Sequence, residues 1–232
     1  MKKRVVVLSG AGISAESGVK TFRDHGGLWD SHRVEDVATP EAWERNPELV
    51  LRFYNERRRL LGEVQPNAGH QAIASWEKNF EVIVVTQNVD DLHERAGSTR
   101  VLHLHGELRK ARSSLDPELV YPLEHWEMRL EDRCEKGSRL RPHIVWFGES
   151  VSLMPVAEEF VAEADALVVV GTSLSVYPAA GLAWMAPHDA LKILVDPRPA
   201  ACPEDFQVFS TSATLGVPQA GELLNQGLLG RE

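Results

Sequence analysis

The sequence predicts an α/β fold with a mainly parallel sheet and helices on both of its faces. Short runs rich in valine and isoleucine recur along the chain, and they lack the apolar-polar alternation of half-exposed strands. Helical apolar patterns lie between several of these runs. With 232 residues, of which 43% are hydrophobic, the chain can also bury a sizeable core. Buried strands alternating with helices indicate parallel pairing.

In chain order, the predicted strands cover residues 5–8, 82–85, 101–104, 144–147, 167–170 and 193–195. Residues 26–61 are instead helical without a strand, because Thr39 and Asn46 each precede a proline, which is a helix-start arrangement. Residues 107–141 are polar, with a helical pattern at Leu123, Trp126 and Leu130. We therefore expect 1–25, 62–106 and 142–232 to form the main domain, with 26–61 and 107–141 as a smaller helical lobe.

Composition excludes several functions. The chain carries 34 acidic and 25 basic residues, a net charge of -9, so we expect no global attraction to nucleic acid or anionic membranes. Two cysteines suit a reducing compartment. The apolar run after Lys2 and Lys3 stops at Ser9, too early for a signal peptide, and no run is long enough to span a bilayer. We expect a cytoplasmic monomer.

A glycine-rich loop, "GAGISA" at residues 10–15, directly follows the first predicted strand. Glycines there let the backbone approach a pyrophosphate, and a following helix N-terminus offers free N–H groups. The pattern is a weak form of the dinucleotide fingerprint, because no acidic residue ends a second strand about 20 residues later. Taken alone, it is equally compatible with a plain strand-to-helix turn.

Polar residues follow other predicted strands. Gln87, Asn88 and Asp90 come after the second strand, where, taken alone, a cap on the next helix is the favoured interpretation. "GTS" at 171–173 and Asp196 follow two later strands. Because open α/β sheets bind ligands at the carboxyl ends of their strands, these residues together indicate one binding edge.

The stretch "LHLHGE" places His103 and His105 two residues apart, on one face of a strand. Such a pair could bind a metal, pack in a core or supply a base. The surrounding residues alone do not decide between these roles.

Longer strings carry a specific resemblance. "GAGISAESGVKTFR", "TQNVDDLHERAG", "LHLHGEL", "LRPHIVWFGE" and "VVVGTSLSVYPAAGL" stand in the order and spacing of the sirtuin family of NAD-dependent protein deacylases. The chain resembles most the bacterial members that also remove acidic acyl groups. The resemblance covers nearly the whole chain, and it implies a Rossmann-like NAD-binding domain.

The resemblance implies roles for individual residues. His105 would be the catalytic base, with Asn88 and Asp90 as the other catalytic residues, while His103 would be structural. NAD would be bound by Gly10, Ala11, Gly12, Ala15, Phe22, Arg23, Gln87, Asn88, Val89, Asp90, Gly171, Thr172, Ser173, Asp196 and Ala213. Acylated lysine side chains of proteins would be bound by Tyr54, Arg57, Val145, Phe147, Gly148 and Glu149.

The reaction implied by the family begins with attack of the acyl-lysine oxygen on C1′ of the nicotinamide ribose, which expels nicotinamide. His105 would then activate a ribose hydroxyl, giving free lysine and O-acyl-ADP-ribose. The alternatives are protein mono-ADP-ribosyl transfer and a non-catalytic NAD sensor; a hydride-transferring dehydrogenase ranks third.

The acyl group is indicated by Tyr54 and Arg57, which are three residues apart on one face of a helix. The resemblance implies that this pair binds a succinyl or malonyl carboxylate, as the matching pair does in family members that remove acidic acyl groups. The alternative is that Arg57, Arg58 and Arg59 form a solvated basic face.

The chain departs from the family at its usual four-cysteine zinc site. Ser113 and Ser114 stand where the first cysteine is expected, and only Cys134 remains. One thiolate cannot form a tetrahedral zinc site, so we expect no metal. We expect an apolar core to compensate, drawn from Leu119, Val120, Tyr121, Leu123, Trp126, Met128 and Leu130.

Overall fold

The computed structural model describes residues 2–20, 32–199 and 204–230. Its strands are β1 (Arg4–Ser9), β2 (Glu81–Thr86), β3 (Val101–His103), β4 (Gly106–Ser113), β5 (Val120–Pro122), β6 (Leu140–Ile144), β7 (Ala166–Val170), β8 (Leu191–Val195) and β9 (Gln207–Phe209). Its α-helices are α1 (Gly12–Ala15), α2 (Val34–Val37), α3 (Pro40–Arg45), α4 (Pro47–Leu61), α5 (Ala68–Trp76), α6 (Leu92–Ala96), α7 (Met154–Ala162) and α8 (Ala213–Leu224).

The main sheet has six strands in the order β3-β2-β1-β7-β8-β9, and every pair in it is parallel. The apolar runs at 5–8, 82–85, 167–170 and 193–195 fall on its strands, as predicted, and the run at 101–104 does so except for Leu104, which follows β3. The four residues of β1 from Val5 to Leu8 are fully buried. Burial on both faces explains why these strands lack alternation. All carboxyl ends meet at one edge, which positions the candidate site.

Helices cover both faces of this sheet. On one face, Ile73 of α5 and Val217 of α8 pack against Val5 and Val7. On the other, α7 and a 3₁₀ helix (Ala179–Trp184) pack against the opposite side of β1. No helix in the described part of the chain is both long and apolar enough to cross a membrane.

Between β1 and β2, α2, α3 and α4 form a helical excursion. Thr39 accepts a hydrogen bond from the Ala42 N–H, and Asn46 accepts one from the Leu49 N–H. Each is followed by a proline in the first turn, so the predicted helix starts are confirmed. These helices share a core with β4 and β6 that includes Trp146.

The second excursion from the main sheet, residues 107–141, differs in structure from its predicted helical form. Residues 106–144 form a small antiparallel sheet in the order β5-β4-β6, and 123–130 contain no helix. The predicted helix is therefore wrong. Its three apolar residues matched helical spacing, but side chains of α4 bind the Trp126 carbonyl and both backbone groups of Met128. A helix would need those same backbone groups.

The strand expected at 144–147 is also misplaced. It ends at Ile144 and belongs to the small antiparallel sheet. Beyond it, the Phe147 N–H donates to the Ala38 carbonyl, 3.0 Å away, instead of to a neighbouring strand. Tertiary contact with the helical excursion thus ends the strand earlier than local composition indicates.

The expected apolar core of the second excursion is confirmed in part, because Met128, Leu123 and Leu130 pack in one cluster with apolar side chains of α4. Met128 is buried, whereas Trp126 is 46% exposed and Val120 is 36% exposed. Polar contacts are also present in this region. Near the zinc position of the family, Ser138 Oγ lies 2.6 Å from Ser113 Oγ and 3.1 Å from Cys134 Sγ.

These residues do not fit a zinc ion. Within the described ranges, no three or more His, Cys, Asp or Glu side chains are grouped so as to hold a metal. We predict that treatment with a chelator leaves the melting temperature unchanged, because a structural zinc site would contribute roughly 10–16 kcal/mol. Elemental analysis of the purified protein is the second measurement. One tightly held zinc per chain would contradict the prediction.

Candidate functional site

The glycine-rich loop after β1 contacts the loop after β7 through backbone. The Gly10 N–H donates to the Val170 carbonyl at 2.9 Å, and the Gly12 N–H donates to the Gly171 carbonyl at 2.8 Å. A Cβ atom on Gly12 would lie 2.7 Å from Gly171 Cα. Gly171 itself has φ +61°, a conformation that favours glycine. These glycines therefore expose a surface of backbone without side chains beside the strand ends.

The helix that follows this loop is shorter than the dinucleotide fingerprint implies. α1 is a single turn, with Ala15 exposed at its end, and the N–H of Gly12 is already bonded. We therefore expect the glycine-rich loop, and not the N-terminus of α1, to form most of the anion site. Phe22 and Arg23 lie outside the described residues.

Polar residues after β2 converge on Ser14, a residue that the sequence analysis did not select. Ser14 Oγ donates to Asp90 Oδ2 at 3.1 Å and accepts from Asn88 Nδ2 at 3.3 Å. Asn88 and Asp90 are each 6% exposed. The Leu92 N–H donates to Asp90 Oδ1, so the helix-cap alternative is also partly correct. Burial raises the pKa of the Asp90 carboxyl despite these hydrogen bonds.

Two buried histidines support this cluster, and sequence reasoning missed both. His70 Nδ1 accepts from the Asn67 N–H, so its Nε2 carries the proton and faces Ser14 Oγ at 3.4 Å. Burial lowers the pKa of His70 to about 4, which keeps it neutral. His93 Nε2 lies 2.9 Å from Ser9 Oγ, and burial lowers its pKa too. The only sequence signal was a histidine three residues after a helix-capping asparagine.

His105 lies beside this cluster, just after β3. Its Nδ1 is 3.0 Å from the Gln87 carbonyl. A carbonyl can only accept, so Nδ1 carries the proton and the neutral ring keeps Nε2 as an acceptor. Burial lowers the pKa of His105, partly opposed by the Gln87 carbonyl. The ring is therefore neutral at pH 7, with the lone pair that a base requires.

His103 has a different environment. Its Nδ1 donates to the Asn88 carbonyl at 3.0 Å, and its Nε2 lies 2.7 Å from Glu94 Oε1. Burial opposes charging of this ring, but Glu94 and the Asn88 carbonyl outweigh it and raise the pKa. The two histidines thus hold consecutive carbonyls of one loop. His103 lies 8% exposed in this position, which supports a structural role.

We predict that Glu94→Gln destabilises the protein in a pH-dependent way. Because the folded-state pKa of His103 is raised, its stabilisation is complete below the ordinary histidine pKa of 6.5 and is lost as pH rises through the folded-state pKa. The Glu94 side chain is 40% exposed, so solvent screening limits the loss to about 1 kcal/mol at about pH 6. Urea unfolding at about pH 6 and about pH 9 measures it. An equal loss at both pH values would contradict this account.

The loops after β7 and β8 complete the edge. Thr172 Oγ1 accepts from Gln87 Nε2 at 3.1 Å, which joins this loop to the one after β2. Ser173 Oγ contacts Ser175 Oγ. Asp196 is buried, and its Oδ1 accepts from the Arg198 N–H at 2.8 Å. Ala213 begins α8 and is 4% exposed.

The predicted peptide-binding residues have mixed environments. Val145 donates its N–H to the His105 carbonyl at 2.9 Å, while Phe147 and Gly148 are exposed. Glu149 instead accepts from Arg112 and Arg141 and from the Trp146 N–H. Its carboxylate therefore ties the loop after β6 to Arg112 and Arg141, which its prediction as a peptide contact did not anticipate.

On α4, Tyr54 is buried and its hydroxyl accepts from Trp146 Nε1 at 3.0 Å. Because that bond uses a lone pair of the hydroxyl, its hydrogen stays available for donation. Burial raises the pKa of Tyr54 to about 12. Half-buried Arg57 stacks 3.9 Å above the Phe53 ring, and burial lowers its pKa to about 10. Both groups retain their protonated forms at pH 7.

The solvated-face alternative for the three arginines is wrong for Arg58. Its side chain is buried against backbone carbonyls, whereas Arg59 is exposed and paired with Glu63. Three consecutive arginines thus have three environments, because successive residues on a helix point about 100° apart.

Comparison with known proteins identifies this arrangement. The Sir2 family model matches residues 10–178. An NAD-dependent protein deacylase of Bacteroides thetaiotaomicron is 51% identical, over 96% of this chain and 98% of its own. One from Helicobacter pylori strain J99 is 50% identical, over 98% and 99%.

Solved structures agree with these relatives. A Sir2 homologue in complex with ADP-ribose superposes with a TM-score of 0.89 at 36% identity, covering 100% of this chain and 95% of its own. A Sir2 homologue in complex with NAD gives 0.86 at 37% identity, covering 98% and 91%. The match to the family model, the relatives and the shared fold together show that this chain belongs to the Sir2 family.

Proposed function

We propose that this protein is an NAD-dependent protein-lysine deacylase that acts on succinyl and malonyl groups as well as acetyl groups. The observation that carries the proposal is the orientation of His105, which presents an unprotonated Nε2 beside the loop of Asn88 and Asp90. NAD, when bound, supplies the ribosyl carbon that accepts the acyl oxygen as nicotinamide leaves.

The donor set fits NAD. The bare backbone at Gly10, Gly12 and Gly171 leaves no side chain between the loop and a pyrophosphate. Gln87, Asn88 and Asp90 would hold the ribose and carboxamide of the nicotinamide half. The loops at 171–173 and 196, together with Ala213, would hold the adenosine half. Ala11, Ala15, Val89, Phe22 and Arg23 complete the proposed cofactor set by resemblance.

Within this set, His105 Nε2 would take a proton from a ribose hydroxyl, while its Nδ1 stays bonded to the Gln87 carbonyl. The fixed tautomer keeps the base aimed at one position. Asn88 and Asp90 would orient the ribose and offset positive charge that develops at its anomeric carbon. Ser14 holds both side chains in place for that task.

The acylated lysine would enter between the two excursions and the main sheet. Val145, Phe147 and Gly148 would pair with the substrate backbone as an added strand, with Glu149 holding their loop. Tyr54 and Arg57 would bind the acyl carboxylate, through the free hydroxyl hydrogen and the guanidinium. We also propose that residues 26–61 and 107–141 form a smaller lobe beside the main domain.

We predict strong preference for NAD over NADP. The buried Asp196 carboxylate accepts hydrogen bonds from ribose hydroxyls well, but it would repel a 2′-phosphate. Titration of the protein with each dinucleotide measures the two dissociation constants, and we expect them to differ by at least about tenfold. Comparable binding of both dinucleotides would remove the assigned role of Asp196.

The experiment that tests the function is incubation with NAD and a succinyl- or acetyl-lysine peptide, followed by mass spectrometry. Deacylase activity gives nicotinamide, O-acyl-ADP-ribose and free lysine in equal amounts. Label from NAD on protein would instead indicate mono-ADP-ribosyl transfer. Binding of NAD without any product would indicate a non-catalytic sensor.

We also propose that the protein acts as a monomer in the cytoplasm. A net charge of -9 argues against binding to nucleic acid or anionic membranes. Cys134 is a free thiol in the structure, as a reducing compartment would maintain it. Light scattering and cell fractionation measure the two properties.

A further inference from the structure

Arg58 is a buried cation outside the proposed acyl site. It is 2% exposed and lies on α4, next to Arg57. Its Nε donates to the Trp126 carbonyl at 2.7 Å, and its Nη1 donates to the Leu108 carbonyl at 3.3 Å. Its Nη2 donates to Asn55 Oδ1. One guanidinium therefore ties α4 to two separate segments of the second excursion.

Asn55 strengthens the same connection. Its Nδ2 donates to the Met128 carbonyl at 2.9 Å, and its Oδ1 accepts from the Met128 N–H at 2.9 Å. Asn55 and Arg58 are three residues apart, so they share a face of α4. We call these two residues the α4 clamp. Tyr54 and Arg57 each precede a clamp residue by one position, so the clamp fixes the rotation that directs them.

Leu108 links the clamp to the loop after β2. Its carbonyl accepts from Arg58, and its N–H donates to the Val89 carbonyl at 2.8 Å. Val89 lies between Asn88 and Asp90. Leu108 of β4 thus connects two segments through one hydrogen bond to each. One is the helix that would recognise the acyl group, and the other is the loop that would hold the ribose.

We propose that Arg58 is a positioning residue that sets the distance between the acyl-carboxylate site and the reacting ribose, and so determines which acyl chain lengths are accepted. This inference rests on the proposed function, because it assumes that Tyr54 and Arg57 bind the carboxylate. Arg58 itself is buried and is not among the residues proposed to bind substrate or cofactor.

The chemistry of the contact favours this role over packing alone. Burying a cation is costly, and an apolar side chain would fill the same space at less cost. Only a guanidinium offers several donors in a fixed plane, which can hold carbonyls from separate segments at defined distances. The acetyl group has no carboxylate, so its placement does not depend on this spacing.

The test compares Arg58→Met with wild type on malonyl-, succinyl- and acetyl-lysine peptides of one sequence. We expect KM for the succinyl peptide to rise by about tenfold or more, with kcat and the acetyl KM changed by less than about threefold. The ratio of the KM values for the malonyl and succinyl peptides should move closer to one than it is in wild type. Anisotropy of a labelled succinyl peptide, without NAD, should show the same weakening. Parallel losses on all three peptides, or no loss, would overturn the proposal.

Arg59→Met is the matched control, because this exposed arginine is the next residue on α4 and pairs with Glu63. It should behave as wild type. If Arg58→Met has no cooperative thermal transition, Asn55→Ala replaces it, since that variant keeps the contacts of Arg58 with Trp126 and Leu108. We expect the same selective rise in KM, about threefold or more, and its absence would overturn the proposal.

The same experiment separates this inference from its premise. If wild type does not remove succinyl or malonyl groups and Arg57→Met changes nothing, the proposed acyl specificity fails and Arg58 loses its role with it. If wild type and Arg57→Met behave as proposed but Arg58→Met loses all activities equally, only the inference fails.

Discussion

Replacing His105 with alanine should reduce deacylation by roughly 10²- to 10⁴-fold, the range that a positioned general base contributes. The Nδ1 contact with the Gln87 carbonyl leaves Nε2 as the proton acceptor, and alanine removes it. Formation of O-acyl-ADP-ribose, followed by mass spectrometry at saturating NAD, measures the loss. Exchange of labelled nicotinamide into NAD should fall much less, since it reports the step before His105 acts.

His103→Ala provides the comparison for this variant. His103 lies two residues before His105, at the end of β3, but it bonds to Glu94 and the Asn88 carbonyl. We expect a smaller loss of activity accompanied by lower stability. If the two variants lost activity equally while remaining folded, the distinction between base and structural histidine would be untenable.

The pH profile provides an independent check. Burial lowers the pKa of His105 below the ordinary histidine value of 6.5, so the neutral form persists into more acidic solution. The acid limb of kcat/KM should therefore have its midpoint below 6.5, and it should disappear from the residual activity of His105→Ala. A limb centred well above 6.5 would assign the titration to another group.

The second large effect is expected from Arg57→Met. A charge-assisted hydrogen bond contributes about 1.5 to 3 kcal/mol, so desuccinylation should fall roughly ten- to hundredfold. Deacetylation should largely survive, because an acetyl group has no carboxylate to bind. Methionine keeps an unbranched apolar side chain at this position and removes the guanidinium, whose central carbon lies 3.9 Å from the centre of the Phe53 ring. Values of kcat/KM on matched succinyl and acetyl peptides measure the difference.

Arg59→Met controls for the loss of one positive charge from α4, because Arg59 is exposed. Tyr54→Phe removes the other proposed donor but keeps the aromatic ring packed beside Trp146. It should also lower desuccinylation selectively. Should Arg57→Met reduce both activities to the same extent, Tyr54 and Arg57 would not be the carboxylate site.

Much of the main sheet could be predicted from the sequence because its strands are buried on both faces. The run Val5 to Leu8 has no polar position to expose, and it lies fully buried at the centre of the sheet. The starts of α3 and α4 were equally local, since an N-cap and its proline are neighbours in the chain.

The structure of the second excursion could not be predicted from local sequence in this way. Leu123, Trp126 and Leu130 have helical spacing, but Asn55 and Arg58 take the backbone groups between them. Those contacts join residues 68 and 73 positions apart, so no local window contains them. Likewise, the roles of Ser14 and His70 depend on a buried network that brings distant segments together.

The sequence by itself determined five of the six strands of the main sheet, the strand ends that carry polar residues and the family to which the strings of motifs belong. Only the tertiary structure decided which nitrogen of His105 is free, which of three arginines is buried and why Glu149 is occupied. The physical reason is that the period of a strand or helix is local, whereas protonation, burial and pairing depend on groups that folding brings together from far along the chain.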